Sequence, residues 1–198
     1  MKLVAFSDLH ASLTGLRKLQ ELVKKEKPDL LVNLGDFTVF EQHIEEVAQQ
    51  LAKLHSHQLV LHGNHEDDAT VAHVAKRHGW IFMHGKLVDV NGVLFVGWGG
   101  EGFVHDLPAF IKWVMKHKKT IAAAKKVVLL THQPPYGTVL DHLWGDHVGN
   151  RSFTTFIKNH ANVTLALSGH IHETAGKTGK VNRATLVNPG PYGRVVTL

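Results

Sequence analysis

Five short apolar runs punctuate the chain: Leu3–Phe6, Leu30–Leu34, Leu59–Leu61, Val127–Leu130 and Val163–Leu167. They are continuous rather than alternating, as expected for strands buried on both faces. Between them lie segments whose apolar residues recur at helical spacing. The first helix is expected from about Ser12 to Lys27, with Leu16, Leu19 and Val23 on one face and Pro28 as its stop. Further helices are expected near Glu41–His55, Asp68–His78, Pro108–Ala124 and Phe153–His160, with Asp106 and Pro108 marking a start. Leu87–Gly97, broken at Asn91-Gly92, reads as a hairpin. Leu186-Val187 and Arg194–Val196 read as a returning pair, so that a second sheet packs on the first. The alternation of strands and helices indicates an α/β fold.

Every one of the five apolar runs ends in a polar cluster. In order these are Ser7-Asp8-Leu9-His10, Gly35-Asp36, Gly63-Asn64-His65, Thr131-His132 and Ser168-Gly169-His170-Ile171-His172. Ligand sites in open α/β sheets form at the carboxyl ends of strands, so the clusters are expected to converge at one edge of one sheet. Together they supply two carboxylates, one amide and five imidazoles. Oxygen and nitrogen donors without sulfur suit Mn, Fe, Zn, Ni or Co better than Mg or Ca. The set is too large for one ion and fits two that share a bridging ligand. Each cluster alone recurs by accident in unrelated chains. Gly35-Asp36 and Gly63-Asn64 are also turn signals, and His132 alone could simply end a strand.

Composition narrows the class. The chain has 198 residues, 43% hydrophobic and 20% charged, enough for one domain with a sizeable core over residues 1–198. It has no cysteine, which excludes a disulfide framework and thiolate metal sites. The leading apolar run is too short for a signal peptide and no stretch could span a bilayer, so a cytoplasmic protein without a membrane partner is expected. The net charge is +5, with lysines at 24, 25 and 27 and along 112–126. Neither lysine stretch interleaves aromatics as a base-stacking groove would, so a solvated surface is favoured over nucleic-acid binding. Most of the 17 histidines must be ordinary surface or packing residues.

The motifs as a set resemble those of the calcineurin-like metallophosphoesterase superfamily, in its small single-domain branch. That pattern is D-x-H, G-D, G-N-H-[ED], a lone H, and G-H-x-H. Here it reads Asp8-Leu9-His10, Gly35-Asp36, Gly63-Asn64-His65-Glu66, His132 and Gly169-His170-Ile171-His172. The resemblance implies a four-layer α-β-β-α sandwich with two mixed β-sheets. It implies two divalent metal ions per chain, manganese favoured, acting on a phosphate-ester substrate. One ion would be held by Asp8, His10, Asp36 and His172, the other by Asp36, Asn64, His132 and His170. Asp36 would bridge them. A water shared by the ions would be deprotonated and attack phosphorus in line. His65 would face the substrate as general acid.

Protein phosphatases of the superfamily continue G-D with x-V-D-R-G, and here Phe37-Thr38-Val39-Phe40-Glu41 follows Asp36. The Asp that orients the catalytic His in that branch is replaced by Val39, which argues against a protein phosphatase. Glu66 or a backbone carbonyl then remains as a partner for His65. Ala11 stands where many relatives have Gly, a change expected to be harmless. The loops Trp98–Asp106 and Pro134–Ser152 are expected to shape the substrate pocket, through His105, Tyr136 and Arg151. Asn188-Pro189-Gly190 is expected to be a structural turn. A phosphodiesterase on a small or nucleotide substrate is favoured over a phosphomonoesterase or a nuclease. A non-catalytic interaction module of the same fold is the alternative of another class. Oligomeric state is not legible.

Overall fold

In the computed structural model, residues 1–100 and 102–198 are described. Strand β1 (Lys2–Phe6) leads to helix α1 (Leu13–Glu26), β2 (Leu30–Asn33), α2 (Ile44–Ala52), β3 (Gln58–Val60), α3 (Asp68–His78) and the short β4 (Ile81–Phe82). The hairpin β5 (Lys86–Val90) and β6 (Val93–Trp98) follows, then α4 (Pro108–Ala123) and β7 (Val127–Thr131). A small ribbon, β8 (His142–Leu143) and β9 (Asp146–His147), precedes α5 (Arg151–Asn159) and β10 (Val163–Leu167). After a 3₁₀ turn at His172–Thr174 come β11 (Thr178–Val181), β12 (Ala184–Val187) and β13 (Arg194–Thr197).

The strands form two large mixed sheets, ordered β13-β1-β2-β3-β4 and β11-β12-β10-β7-β6-β5. Within the first, β1 to β4 run parallel and β13 returns antiparallel to β1. The period-2 geometry of strands sorts each apolar run into two layers. Leu3 and Ala5 face the inter-sheet core with Leu59, Leu61, Phe95, Leu130 and Leu167. Val4 and Phe6 face outward onto Leu19, Val23, Leu51, Val71 and Val74 of α1, α2 and α3. In the second sheet Val96, Leu129 and Ala166 pack on Phe110, Ile121, Phe153 and Phe156 of α4 and α5. The four layers are therefore α-β-β-α, and burial on both faces explains why the runs are continuous.

Local chemistry places most element ends. Ser12 caps α1 by accepting from Gly15 N–H, and Lys27 closes it in the left-handed region before Pro28. Asp67 caps α3 and Gly79 ends it. Asn91 and Gly92 both have positive φ, as a two-residue hairpin of this hand requires.

Four expectations are corrected. The five strands that end in polar clusters do not share one sheet: β1, β2 and β3 lie in the first, β7 and β10 in the second. Ala184–Val187 and Arg194–Thr197 are not a pair; β12 joins β10 and β13 joins β1. Helix α2 starts at Ile44 rather than Glu41, because Phe40, Glu41 and His43 all have positive φ. Asp106 does not cap α4; the Leu107 N–H is taken by Ser152 Oγ, and Asp106 pairs with Arg151.

Candidate metal centre

All five polar clusters meet where the carboxyl ends of β1, β2, β3, β7 and β10 come together across the two sheets. The backbone there is tightly laced. Asp8 N–H donates to Gly35 O, His10 N–H to Asp36 O, Ala11 N–H to Phe37 O, and Gly169 N–H to His132 O. Asp8, His10, Ala11, Asp36 and His170 all have positive φ, a conformation costly for non-glycine residues and concentrated at functional sites. The glycines of the motifs answer to close approach. A Cβ at Gly63 would collide with the Asp36 carboxylate, and one at Gly169 with Ser7 Oγ and the Asp8 carboxylate.

Asp36 is the centre of the site. Its Oδ2 lies 3.4 Å from His132 Nε2, 3.9 Å from His65 Nε2 and 4.0 Å from His10 Nε2. Its Oδ1 accepts the His65 backbone N–H at 2.9 Å. Burial works against the Asp36 charge, but hydrogen bonding with His132 and the His65 N–H outweighs it and holds the carboxyl at about 2. Three groups of donor atoms form within 4.8 Å: Asp8, His10 and His172; His10, Asp36 and His65; and Asp36, His132 and His170. Asn64 joins the last group, with Oδ1 3.1 Å from His132 Nε2. All seven sequence-predicted ligands and His65 are thus brought together.

Two of the imidazoles, His10 and His132, are oriented by backbone carbonyls. The His10 Nδ1 lies 3.1 Å from Thr38 O and the His132 Nδ1 2.9 Å from Leu34 O. A carbonyl only accepts, so each Nδ1 carries the hydrogen and each Nε2 is turned into the site. The His10 Nε2 meets His172 Nε2 at 3.1 Å, with the Asp8 carboxylate 3.7 Å from the latter. The His132 Nε2 faces two acceptor oxygens, on Asp36 and Asn64. Burial opposes charge on His132, but the Asp36 hydrogen bond and carboxylate charge raise it to about 9. Oxygens so placed attract a cation at that nitrogen. Burial, reinforced by His132, pushes His170 down to about 3, so it stays a neutral ligand-competent ring; its Nε2 is buried with no hydrogen-bond partner among the described residues. The donor set therefore fits divalent ions.

Glu66 is buried and does not serve His65. Its carboxylate accepts from the Asp36, Gly63 and Thr38 backbone N–H groups and from Thr38 Oγ1, at 2.8–3.0 Å. Burial and the neighbouring Asp36 push Glu66 up; the Thr38 and Gly63 donors oppose this. Nor does a carbonyl hold His65: its Nδ1 is buried without a hydrogen-bond partner among the described residues. Phe40 stacks on the ring at 4.3 Å and His10 lies edge-on at 4.8 Å, while Asp36 Oδ2 lies 3.9 Å from its Nε2. The segment that carries Asp and Arg in protein phosphatases here carries this phenyl ring.

The loop residues His105, Tyr136 and Arg151 form a cluster of their own. Arg151 donates its backbone N–H to His105 O, ion-pairs with Asp106 at 3.3 Å and lies 5.0 Å over the Tyr136 ring. Asp141 organises the second loop by accepting from Gly137, Thr138 and Gly149 N–H and from His147. The first loop includes residue 101, outside the described residues; it reaches the centre through Phe103, which packs on His170 at 4.6 Å. Sequence reasoning missed Phe40 and Phe103, since a lone phenylalanine in a polar loop gives no periodic signal. Of the other histidines, some pack on aromatic rings, as His78 does on Trp80 and His160 on Phe156, and others, such as His43 and His57, are exposed.

A two-sheet α-β-β-α frame with Asp, Asn and His donors gathered at its strand ends defines a metallophosphoesterase-type fold and site. The profile of the calcineurin-like phosphoesterase family matches residues 1–174, and the chain belongs to that family of phosphoester hydrolases. It is 29% identical to the uncharacterized protein MJ1162 of Methanocaldococcus jannaschii over 202 residues, covering 96% of this chain and 88% of that one. Among solved structures it is similar to TT1561 of Thermus thermophilus, with a TM-score of 0.75, 18% identity, and 96% and 89% of the two chains covered. A structure described as a novel archaeal phosphodiesterase gives a TM-score of 0.57 at 17% identity, covering 96% and 84%. At these identities the structural likeness is one of fold. No helix among the described residues is long and apolar enough to cross a membrane.

Proposed function

We propose that this chain is a dinuclear metal-dependent phosphodiesterase, with two divalent ions, manganese favoured, and His65 as general acid. The observation that carries the reading is the single Asp36 Oδ2 lying within 4.0 Å of three imidazole nitrogens from three different loops. Asp8, His10 and His172 would hold one ion, Asn64, His132 and His170 the other, and Asp36 both. Two such ions, when bound, acidify a water and offset charge on the phosphoryl oxygens. His10 and His132, whose rings are fixed by Thr38 O and Leu34 O, would present Nε2 to the ions. His65, beside Asp36 but braced by Phe40 rather than by a carboxylate, is placed to give a proton to the departing alcohol oxygen.

A diester is favoured because no arginine fork serves the site among the described residues. A monoester dianion is best matched by paired guanidinium donors, and Arg151, in the loop nearest this role, is tied to Asp106. The same reading treats the whole chain as one domain acting on a dissolved ester in the cytoplasm. The name of the archaeal neighbour agrees with it. The test is kcat/KM for bis(4-nitrophenyl) phosphate against 4-nitrophenyl phosphate, with one metal at neutral pH. The diester is expected to turn over faster. A clear monoester preference overturns the diester assignment, and turnover of neither ester with any divalent metal overturns the enzyme.

A further inference from the structure

A cleft of about 620 Å³ borders the metal centre on the side of Asp8, His10 and His172. It runs from those ligands to the turn Pro189–Gly193, which lies beyond the metal motifs. That size suits an organic group rather than a bare phosphate. Its far wall is mostly apolar, with two prolines, glycines, and Tyr192, which is 49% exposed. The Lys18 Nζ lies 4.0 Å over the Tyr192 ring, adding positive charge beside an anionic ester.

The wall is preformed. Asn188, fully buried, donates through its side chain to Ile171 O and Thr174 Oγ1 and accepts from Gly190 N–H, each at 3.0 Å. Ser7 N–H donates to Gly190 O, so the turn is also tied to the strand end that carries Asp8. Arg194 braces Gly176 O on the opposite lip at 2.6 Å. The turn and the His172 loop are one hydrogen-bonded frame, so a group seated in the cleft keeps a fixed position relative to the metal ligands.

We propose that this cleft seats the substituent that stays on phosphorus, a nucleoside-type ring group, with Tyr192 as its specificity-determining surface. The proposal rests on the phosphodiesterase reading above. His65 is not among the residues that line the cleft, so the departing alcohol belongs on the other side, toward His65 and Phe40. Flat proline and tyrosine faces match a planar ring, and base–aromatic stacking raises affinity roughly tenfold or more.

The test uses two diesters with the same leaving group, thymidine 5′-(4-nitrophenyl phosphate) and methyl 4-nitrophenyl phosphate, on the manganese-loaded protein. The nucleoside ester is expected to be preferred roughly tenfold or more in kcat/KM. Tyr192→Ala should lower kcat/KM far more for the nucleoside ester than for the methyl ester, bringing the ratio close to one, and Tyr192→Phe should keep the preference. A ratio near one in the wild type, or one that survives Tyr192→Ala, overturns the proposal. Binding of thymidine 5′-monophosphate to metal-stripped protein, measured by calorimetry, gives a readout independent of turnover. Weaker binding by Tyr192→Ala supports the cleft even if neither ester is hydrolysed, in which case the enzyme reading alone falls; equal binding by both proteins overturns the cleft.

Discussion

Glu66 Oε2 accepts the backbone N–H of Asp36 at 2.9 Å, and its other oxygen holds Thr38. One buried carboxylate thus joins the loop that carries Asp36 to the loop that carries Asn64 and His65. Removing it would leave three backbone N–H groups buried without an acceptor. Glu66→Ala is expected to destabilise the protein by roughly 2–4 kcal/mol. It should also weaken metal affinity by about 10- to 100-fold, as loss of a group that orients ligands does. Thermal melts and metal titration measure the two effects; a variant with unchanged melting and affinity would show that the loops hold themselves.

The contrast between Glu66 and the ligands shows what the sequence could disclose. The candidate ligands announce themselves because Asp8, Asp36, His132 and His170 each follow an apolar run, and strand ends are where α/β proteins gather donors. The Asp68–His78 helix is legible to the residue because Asp67 and Gly79 are strong local caps. The division of β1, β2, β3 from β7 and β10 is not legible, since strand partnership depends on tertiary packing and not on any local run. For the same reason β13 reads, wrongly, as the partner of β12. Phe40 and Phe103 escape because their role is contact with His65 and His170, and nothing in their flanking sequence marks it.

Asp36→Asn is expected to be the most damaging ligand change. Among the described residues, Asp36 alone belongs to a donor group with His10 and to another with His132. The amide keeps the shape but removes the charge that would bind both ions. Metal content per chain should fall below two and turnover should drop further than for any other single ligand. Normal turnover with two ions bound would remove Asp36 from the bridging role.

His65→Ala should retain both ions and still lose about 10²–10⁴ in rate, the range of general-acid contributions. The loss should be smaller for nitrophenyl than for alkyl leaving groups, because nitrophenolate departs without a proton. Phe40→Ala, which removes the ring that braces His65, should show the same leaving-group pattern at reduced size. Equal losses for both leaving groups would instead assign His65 to the phosphoryl oxygens.

Ala11 reads in the sequence as a harmless departure from glycine, but it sits at φ 54° beside His10. A left-handed residue with a Cβ costs roughly 1–2 kcal/mol, whereas glycine loses about 0.4–1 kcal/mol through the unfolded chain. Ala11→Gly is therefore expected to gain up to about 1 kcal/mol, or about 2–4 °C in Tm. A fall in Tm would mean that the laced 8–11 and 35–37 segments already relieve the strain.

Metal removal tests the donor set as a whole. Chelation should abolish activity, and Mn²⁺, Co²⁺ or Ni²⁺ should restore it better than Mg²⁺, because imidazole nitrogen is a poor match for a hard ion. Binding to the folded state alone stabilises by about 2.7 kcal/mol at a hundredfold excess over Kd. For a chain of this size that is roughly 5–10 °C in Tm. The shift should shrink in His132→Ala, which loses the ring held between Leu34 O, Asp36 and Asn64. It should persist in Tyr192→Ala, which touches only the cleft beyond the ligands. Full recovery with Mg²⁺ and no thermal response to Mn²⁺ would contradict a nitrogen-rich metal centre, whatever the esters show.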